Sequence, residues 1–308
     1  MRRLLVLLLI LCLLLSACAA KGPSDAETQK EAAREQLAAA EAGAAEEAER
    51  QENRTSLLED SETLIQGDGF SVTLLDYAAD ANWGPVLSLE LVNETDRDLM
   101  YVIGNMSVNG VMCDPFWGCE VPAGETATSD VWWGEELLAE RGILALRDLR
   151  MEFLIFDSED YEADYFYNDV VTLTLPAGEE IVEDVTFADF PEQVLAEGEG
   201  YRVTALRYDP DGWYGPAVLL CLVNETEANL IFSADDVTVD GADCDPFWAQ
   251  AVWAGCRAYS EMSWDAEDLK EAGVDGFGDV AFRLSVFDAD NWDEDALHVE
   301  ETVSIELP

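Results

Sequence analysis

The chain has 308 residues, with 66 Asp and Glu against 16 Lys and Arg, one His, seven Cys and a formal net charge of −50. At 49% hydrophobic with nine Trp it is too apolar to be disordered throughout, and its length allows two domains that each bury a core. So acidic a chain argues against nucleic acid as a partner, since phosphate backbones are held by Lys and Arg, and the single His298 argues against Ser-His-Asp, Cys-His and multi-His metal chemistry.

At the front, Met1-Arg2-Arg3 precedes an apolar run from Leu4 to Leu15 that ends in Ser16-Ala17-Cys18. Basic residues, a short apolar run and small residues at a cut site predict a secretory signal peptide over 1–17. A spanning helix would need about 20 apolar residues. Leu15-Ser16-Ala17-Cys18 resembles the lipobox of bacterial lipoproteins. The resemblance implies cleavage before Cys18, a diacylglycerol on its sulfur, and a mature protein anchored to the cell membrane on its extracytoplasmic face. Each buried CH₂ of an acyl chain adds about 0.8 kcal/mol of membrane affinity, so two or three chains hold firmly. An ordinary secretory signal with a chance Cys is the plainer alternative. Residues 18–59 follow as an Ala- and Glu-rich stretch. Ser24 with Glu27 fits a capping box, and large apolar residues are sparse, so a solvated, partly helical stalk is expected, with simple disorder as the alternative.

The rest of the chain is one unit written twice. Gly67-Asp68-Gly69-Phe70 returns as Gly198-Glu199-Gly200-Tyr201, an offset of 131 residues. The same offset carries Asn93-Glu94-Thr95 onto Asn224-Glu225-Thr226 and Cys113-Asp114-Pro115-Phe116-Trp117 onto Cys244-Asp245-Pro246-Phe247-Trp248. It also carries Phe156-Asp157 onto Phe287-Asp288. The units are 60–177 and 191–308, joined by an acidic linker, 178–190. In the first, Leu87, Leu89 and Leu91 alternate with Ser88 and Glu90, the period of a strand with one buried face. Further strands are expected at Phe70–Tyr77, Leu99–Val108, Ala127–Trp133, Leu149–Phe156 and Val170–Leu175. Asn93-Glu94-Thr95, Asn109-Gly110 and Ala123-Gly124 mark turns, and Glu135–Arg141 before Gly142 reads as a short helix. The predicted fold class is all-β, with two tandem immunoglobulin-like β-sandwiches after the stalk. The paired Cys-Asp-Pro-Phe-Trp pattern with a late Phe-Asp is similar to uncharacterised immunoglobulin-like lipoproteins of Gram-positive bacteria. That resemblance implies fold and surface location, and no activity comes with it.

Several residues invite chemistry. Cys113 with Cys119, and Cys244 with Cys256, are local pairs that an oxidising compartment could join. A hairpin centred on Phe116 would join the first pair, but the second is centred on Gln250 rather than the equivalent Phe247. At least one pair therefore bridges an irregular loop or stays reduced. Leu219 and Cys221 stand where the first unit has Ser88 and Glu90, so one strand face is polar in the first unit and apolar in the second. Such a face is either covered with its thiol inert, or packs on the first unit or on a partner. Asp288, Asp290, Asp293 and Asp295 supply closely spaced oxygens for calcium, though without an EF-hand order, and a solvated acidic loop is the plainer reading. No other cofactor or metal is expected. Carboxylates are so abundant that proximity says little about glycoside hydrolysis. The recurring Phe116-Trp117, Phe247-Trp248, Trp133 and Trp264 point to packing. The non-recurring Trp83, Trp132, Trp213, Trp253 and Trp292 are freer to be surface platforms, for instance for a sugar. Asn93 and Asn224 match an N-glycosylation pattern, but a polar turn is preferred. The sequence therefore predicts a non-enzymatic surface lipoprotein that binds an unknown protein or glycan partner or serves a structural role. A dedicated ligand-binding lipoprotein for glycans or calcium is the alternative.

Overall fold

The computed structural model describes residues 54–80, 84–160, 162–187, 190–212, 214–246, 248–274, 277–290 and 297–307. The signal peptide, Cys18 and the stalk up to residue 53 lie outside the described residues. The chain divides into two compact units, 1–55 and 56–308, and the second holds both sequence repeats. No helix among the described residues is long and apolar enough to cross a membrane.

After a short strand β1 (Arg54–Ser56), the first repeat runs β2 (Glu62–Gln66), β3 (Phe70–Asp80), β4 (Gly84–Asn93), β5 (Leu99–Val108), β6 (Val111–Met112), β7 (Gly118–Val121) and β8 (Thr126–Trp132). It continues through α1 (Glu135–Glu140), β9 (Asp148–Asp157) and β10 (Tyr167–Thr174). The second repeat reproduces these in order: β11 (Gln193–Gly198), β12 (Tyr201–Asp209), β13 (Ala217–Asn224), β14 (Leu230–Val239), β15 (Ala242–Asp243), β16 (Ala249–Val252), β17 (Cys256–Ser263), α2 (Ala266–Glu271), β18 (Val280–Asp288) and β19 (Leu297–Ile305). The offset of the sequence repeat carries α1 onto α2 residue for residue.

Each repeat is an immunoglobulin-like sandwich of two antiparallel sheets. In the first, β2, β3, β4 and β8 form one sheet, and β10, β9 and β5 form the other, with β6 and β7 both on the free edge of β5. The second repeat matches this with β11–β12–β13–β17 facing β19–β18–β14, where β15 and β16 line the edge of β14. The alternation along β4 buries Leu87, Leu89 and Leu91 completely against the opposite sheet. Asn109 and Gly110 both take positive φ, 53° and 79°, the geometry of a two-residue hairpin whose twist matches its strands, and they return the chain from β5 to β6.

The repeated polar residues build repeated networks. Asn93 is fully buried, and its amide donates to the carbonyls of Arg97 and Val121, both at 2.8 Å, while its Oδ1 accepts from the Thr95 amide and hydroxyl. Asn224 does the same with Ala228, Val252 and Thr226. Every donor and two acceptor sites of each side chain are satisfied, as a buried amide requires. The Asn-Glu-Thr pattern is thus a corner clamp with the amide inside, out of reach of any glycan transfer. The indole of Trp117 donates to Ser129 Oγ at 3.1 Å and that of Trp248 to Ser260 Oγ at 3.0 Å. Trp133 and Trp264 donate to the carbonyls of Cys113 and Cys244.

The repeats join through strand β6, which runs parallel to β17 at Val111 and Arg257, with the Arg257 amide donating to the Gly110 carbonyl at 2.9 Å. One sheet of the first repeat thereby continues into one sheet of the second. The linker belongs to this junction rather than merely spanning it. Val182 bridges to Ile143, and the amides of Leu144 and Glu183 bond the carbonyls of Ile181 and Gly142. Val182, Val185 and Phe187 pack on the first repeat's core.

Candidate interaction site between the two repeats

Where β5, β6, β8 and α1 of the first repeat meet β16 and β17 of the second, a cleft of about 830 Å³ opens. Its first-repeat wall carries Asn105, Met112, Asp114, Pro115, Phe116, Trp132, Glu136 and Arg141; its second-repeat wall carries Gln250, Ala258 and Tyr259. A smaller neighbouring cavity of about 380 Å³ shares Leu137, Glu140, Arg141, Gln250 and Tyr259 and adds Arg207, Leu219 and Glu261. Arg207 is held at 2.9 Å by Glu261 and lies over the Phe187 ring, and Arg141 donates from Nη1 to the Leu137 carbonyl. The Nε atoms of both arginines are buried without a partner.

Phe116 corrects the expectation that recurring aromatics pack. Trp117, Trp248, Trp133 and Trp264 are buried, but Phe116 is 96% exposed; Phe247 lies outside the described residues. The backbone explains this. Asp114 accepts a hydrogen bond from the Phe116 amide at 2.8 Å, and Phe116 adopts φ 54°, in the left-handed region that bulky residues avoid. That turn swings the ring outward and directs Trp117 into the core. Burial raises the Asp114 carboxyl above its ordinary value, while the bond from the Phe116 amide lowers it in part. Among the non-recurring indoles, Trp132 is 45% exposed on the cleft, whereas Trp253 is buried with the Arg150 guanidinium 4.8 Å from its ring, so it is no platform. Trp83, Trp213 and Trp292 lie outside the described residues.

All five described cysteines are free thiols, so neither expected pair is joined. Cys113 bonds through its amide to Met106 of β5, while Cys119 sits opposite Tyr101 of the same strand. Those two positions are separated by about 17 Å at roughly 3.4 Å per residue, and a disulfide needs Cα atoms within about 7 Å. No hairpin centres on Phe116; the segment instead runs along β5. In the second repeat, Cys244 bonds Val237 on β14, whereas Cys256 opens β17 in the facing sheet and accepts from Arg150 Nη1 at 3.7 Å. Burial raises the Cys113 thiol to about 11 and also pushes up Cys119, Cys221 and Cys244.

Leu219 and Cys221 lie on the outer face of β13 and pack against the first repeat's core cluster, which also takes Leu206 and Tyr259 from the second repeat. That apolar face is thus covered by the chain itself, by the first repeat and the linker. For calcium, the Asp288 carboxylate accepts the Asp290 amide at 3.0 Å, closing a turn; Asp293 and Asp295 lie outside the described residues. Among the described residues no group of three or more acids, thiols or imidazoles gathers as a metal site. The sequence missed Gln250, Tyr259 and Arg141 as cleft walls, because a site between repeats leaves no trace in the pattern of either one.

No protein-family model matches the chain, and no curated protein does. Among solved structures, the Salmonella enterica SafA pilin in complex with the SafB chaperone is similar over 72% of this chain and 89% of that one, at 10% identity and a TM-score of 0.17.

Proposed function

We propose that the protein is a lipid-anchored, extracytoplasmic module that binds or supports other molecules without catalysing a reaction. The observation that carries this reading is how the repeated residues are spent. The twin asparagines, the twin indole-to-serine bonds and the twin indole-to-carbonyl bonds each serve to close a sandwich. Folding therefore accounts for these recurring polar residues and indoles, which supports a body built to present surfaces. The anchor rests on the run from Leu4 to Cys18, whose length and small final residues suit a lipoprotein signal better than a span. Two or three acyl chains would hold the body at the surface, and a net charge of −50 would repel both nucleic acid and anionic headgroups.

The test is fractionation of the full chain expressed in a Gram-positive host. The parent protein is expected in the membrane fraction with covalent diacylglycerol, and Cys18→Ala in the medium or as an unprocessed precursor. A parent protein without lipid, or a Cys18→Ala protein that fractionates and is processed like the parent, removes the anchor. Turnover of a polysaccharide or peptide substrate by the purified chain removes the non-catalytic part.

A further inference from the structure

Phe116 carries an exposed aromatic ring on a backbone held in a conformation that a bulky residue avoids. Pro115 fixes the preceding φ, and the Asp114 carboxylate locks the amide, so the backbone that presents the ring to solvent has little freedom left to lose. Aromatic side chains at the mouth of a cleft are the usual anchors of a binding surface, because with two side-chain torsions they add contact area at small entropic cost. Half-exposed Trp132 stands on the same cleft. Around them Asp114, Glu136 and Glu140 set the charge, and Arg141 is the one cation among the lining residues. Beyond the cleft, the chain's charge of −50 steers cations toward it.

Resting on the reading of the chain as a non-catalytic binding module, we propose that this cleft docks a basic peptide segment of a protein partner. Apolar side chains of the segment lodge beside Phe116 and Trp132, and its lysines or arginines face Asp114, Glu136 and Glu140. Lysine or arginine over an aromatic face adds a cation–π attraction. A volume near 830 Å³ suits a few extended residues rather than a whole domain face. A neutral glycan would use the rings but gain nothing from the surplus of carboxylates, and an acidic glycan would be repelled. The equivalent place in the second repeat has Ser263 where the first has Trp132, so one such site is expected per chain.

The test uses the full chain and an acetylated, amidated peptide, Lys-Phe-Lys-Phe-Lys-Phe-Lys, titrated at physiological salt. Phe116→Ala is expected to weaken binding at least about tenfold, as loss of an aromatic anchor does, without changing the melting temperature. Trp132→Ala is a second variant on the same wall. A Glu136→Gln, Glu140→Gln double variant is expected to weaken binding to a similar degree. A Glu179→Gln, Glu180→Gln double variant, equal in charge but outside the cleft, should change it less than about twofold. Binding that follows total charge alone, indifferent to Phe116 and to where the acids are removed, overturns the cleft and leaves the module reading standing. Preference for chitohexaose over the peptide, lost in Phe116→Ala, also overturns the proposal in favour of a glycan. Cleavage of the peptide overturns the module reading itself.

Discussion

Cys113 shows how a residue can be singled out correctly by sequence and still be used for something other than its reactivity. Its sulfur lies in the first repeat's core, and burial holds the thiol protonated to about pH 11, against an ordinary value of 9.0. Between those values the folded chain retains a proton that the unfolded chain releases, so stability falls as pH rises, by up to about 2–3 kcal/mol once pH passes the folded value. Below pH 9 that contribution is fully present. Cys113→Ala is expected to lower stability at neutral pH through the lost packing, yet to flatten the decline between pH 9 and 11. Urea midpoints measured across that range check it; an unchanged alkaline slope would show that Cys113 does not carry the effect. The sequence marked this cysteine through its recurrence as Cys244, but a spacing of six residues to Cys119 could not say that both lie along one strand, five positions apart. Phe116 was marked the same way and misjudged. Recurrence shows that a stretch of sequence is reused, and the turn at Asp114 and Pro115 sends one aromatic inward and its neighbour outward. Asp-Pro before the pair was the available signal, since those residues favour such turns.

At the scale of elements, period and punctuation were enough wherever a strand had one buried face. β5 falls on the residues expected for it between the Asn93-Glu94-Thr95 and Asn109-Gly110 turns, and α1 ends one residue before its expected last residue. β2 was not legible because only Ile65 of its five residues is buried, and β7 because four residues give no period to read. The seat of the linker was not legible for a related reason. Its composition is mostly acidic, and its few apolar residues, Val182, Val185 and Phe187, are the ones that seat it on the first repeat. Gly142 is the position that makes this possible. It sits at φ 64°, and a Cβ there would fall 2.3 Å from the Glu183 carbonyl oxygen. Gly142→Ala is therefore expected to cost about 2–3 kcal/mol, roughly half of it from the left-handed backbone and the rest from pushing the linker off. Hydrogen exchange should quicken at the amides of Leu144 and Glu183, whose bonds cross that seam. Gly178→Ala, where an added Cβ meets nothing within 4 Å, is the control and should leave both amides as protected as before.

For the whole molecule, the two repeats are near copies in fold but not in the surfaces they offer. The second repeat meets the first with Leu219, Cys221 and Tyr259, and at the same positions the first repeat carries Ser88, Glu90 and Thr128. The first repeat contributes Val111 and Met112 to the join, and the second has Ala242 and Asp243 there instead. Head-to-tail contacts between identical units can continue without end, and polar substitutions on the outer ends discourage that. The expected asymmetry of Leu219 and Cys221 was thus readable from sequence, while its occupant, the chain's own linker and first repeat, needed the fold. This junction is also where the acidity should cost most, because it brings two negatively charged bodies into contact. The charge is −50 over the whole chain, and ion pairs such as those of Arg147, Arg207, Arg257 and Arg283, whose carboxylate partners are exposed, offset little of it. Raising ionic strength from about 0.01 M to about 1 M shortens the reach of that repulsion from roughly 30 Å to roughly 3 Å. The melting temperature is expected to rise by about 5 °C or more over this range, in chloride salts of sodium and potassium alike. If repulsion across the junction is the cause, the amide of Arg257, which bonds the Gly110 carbonyl between the repeats, should gain more exchange protection from salt than Leu89 in the middle of a sandwich. Equal gains at both sites would assign the effect to the charge of each sandwich separately.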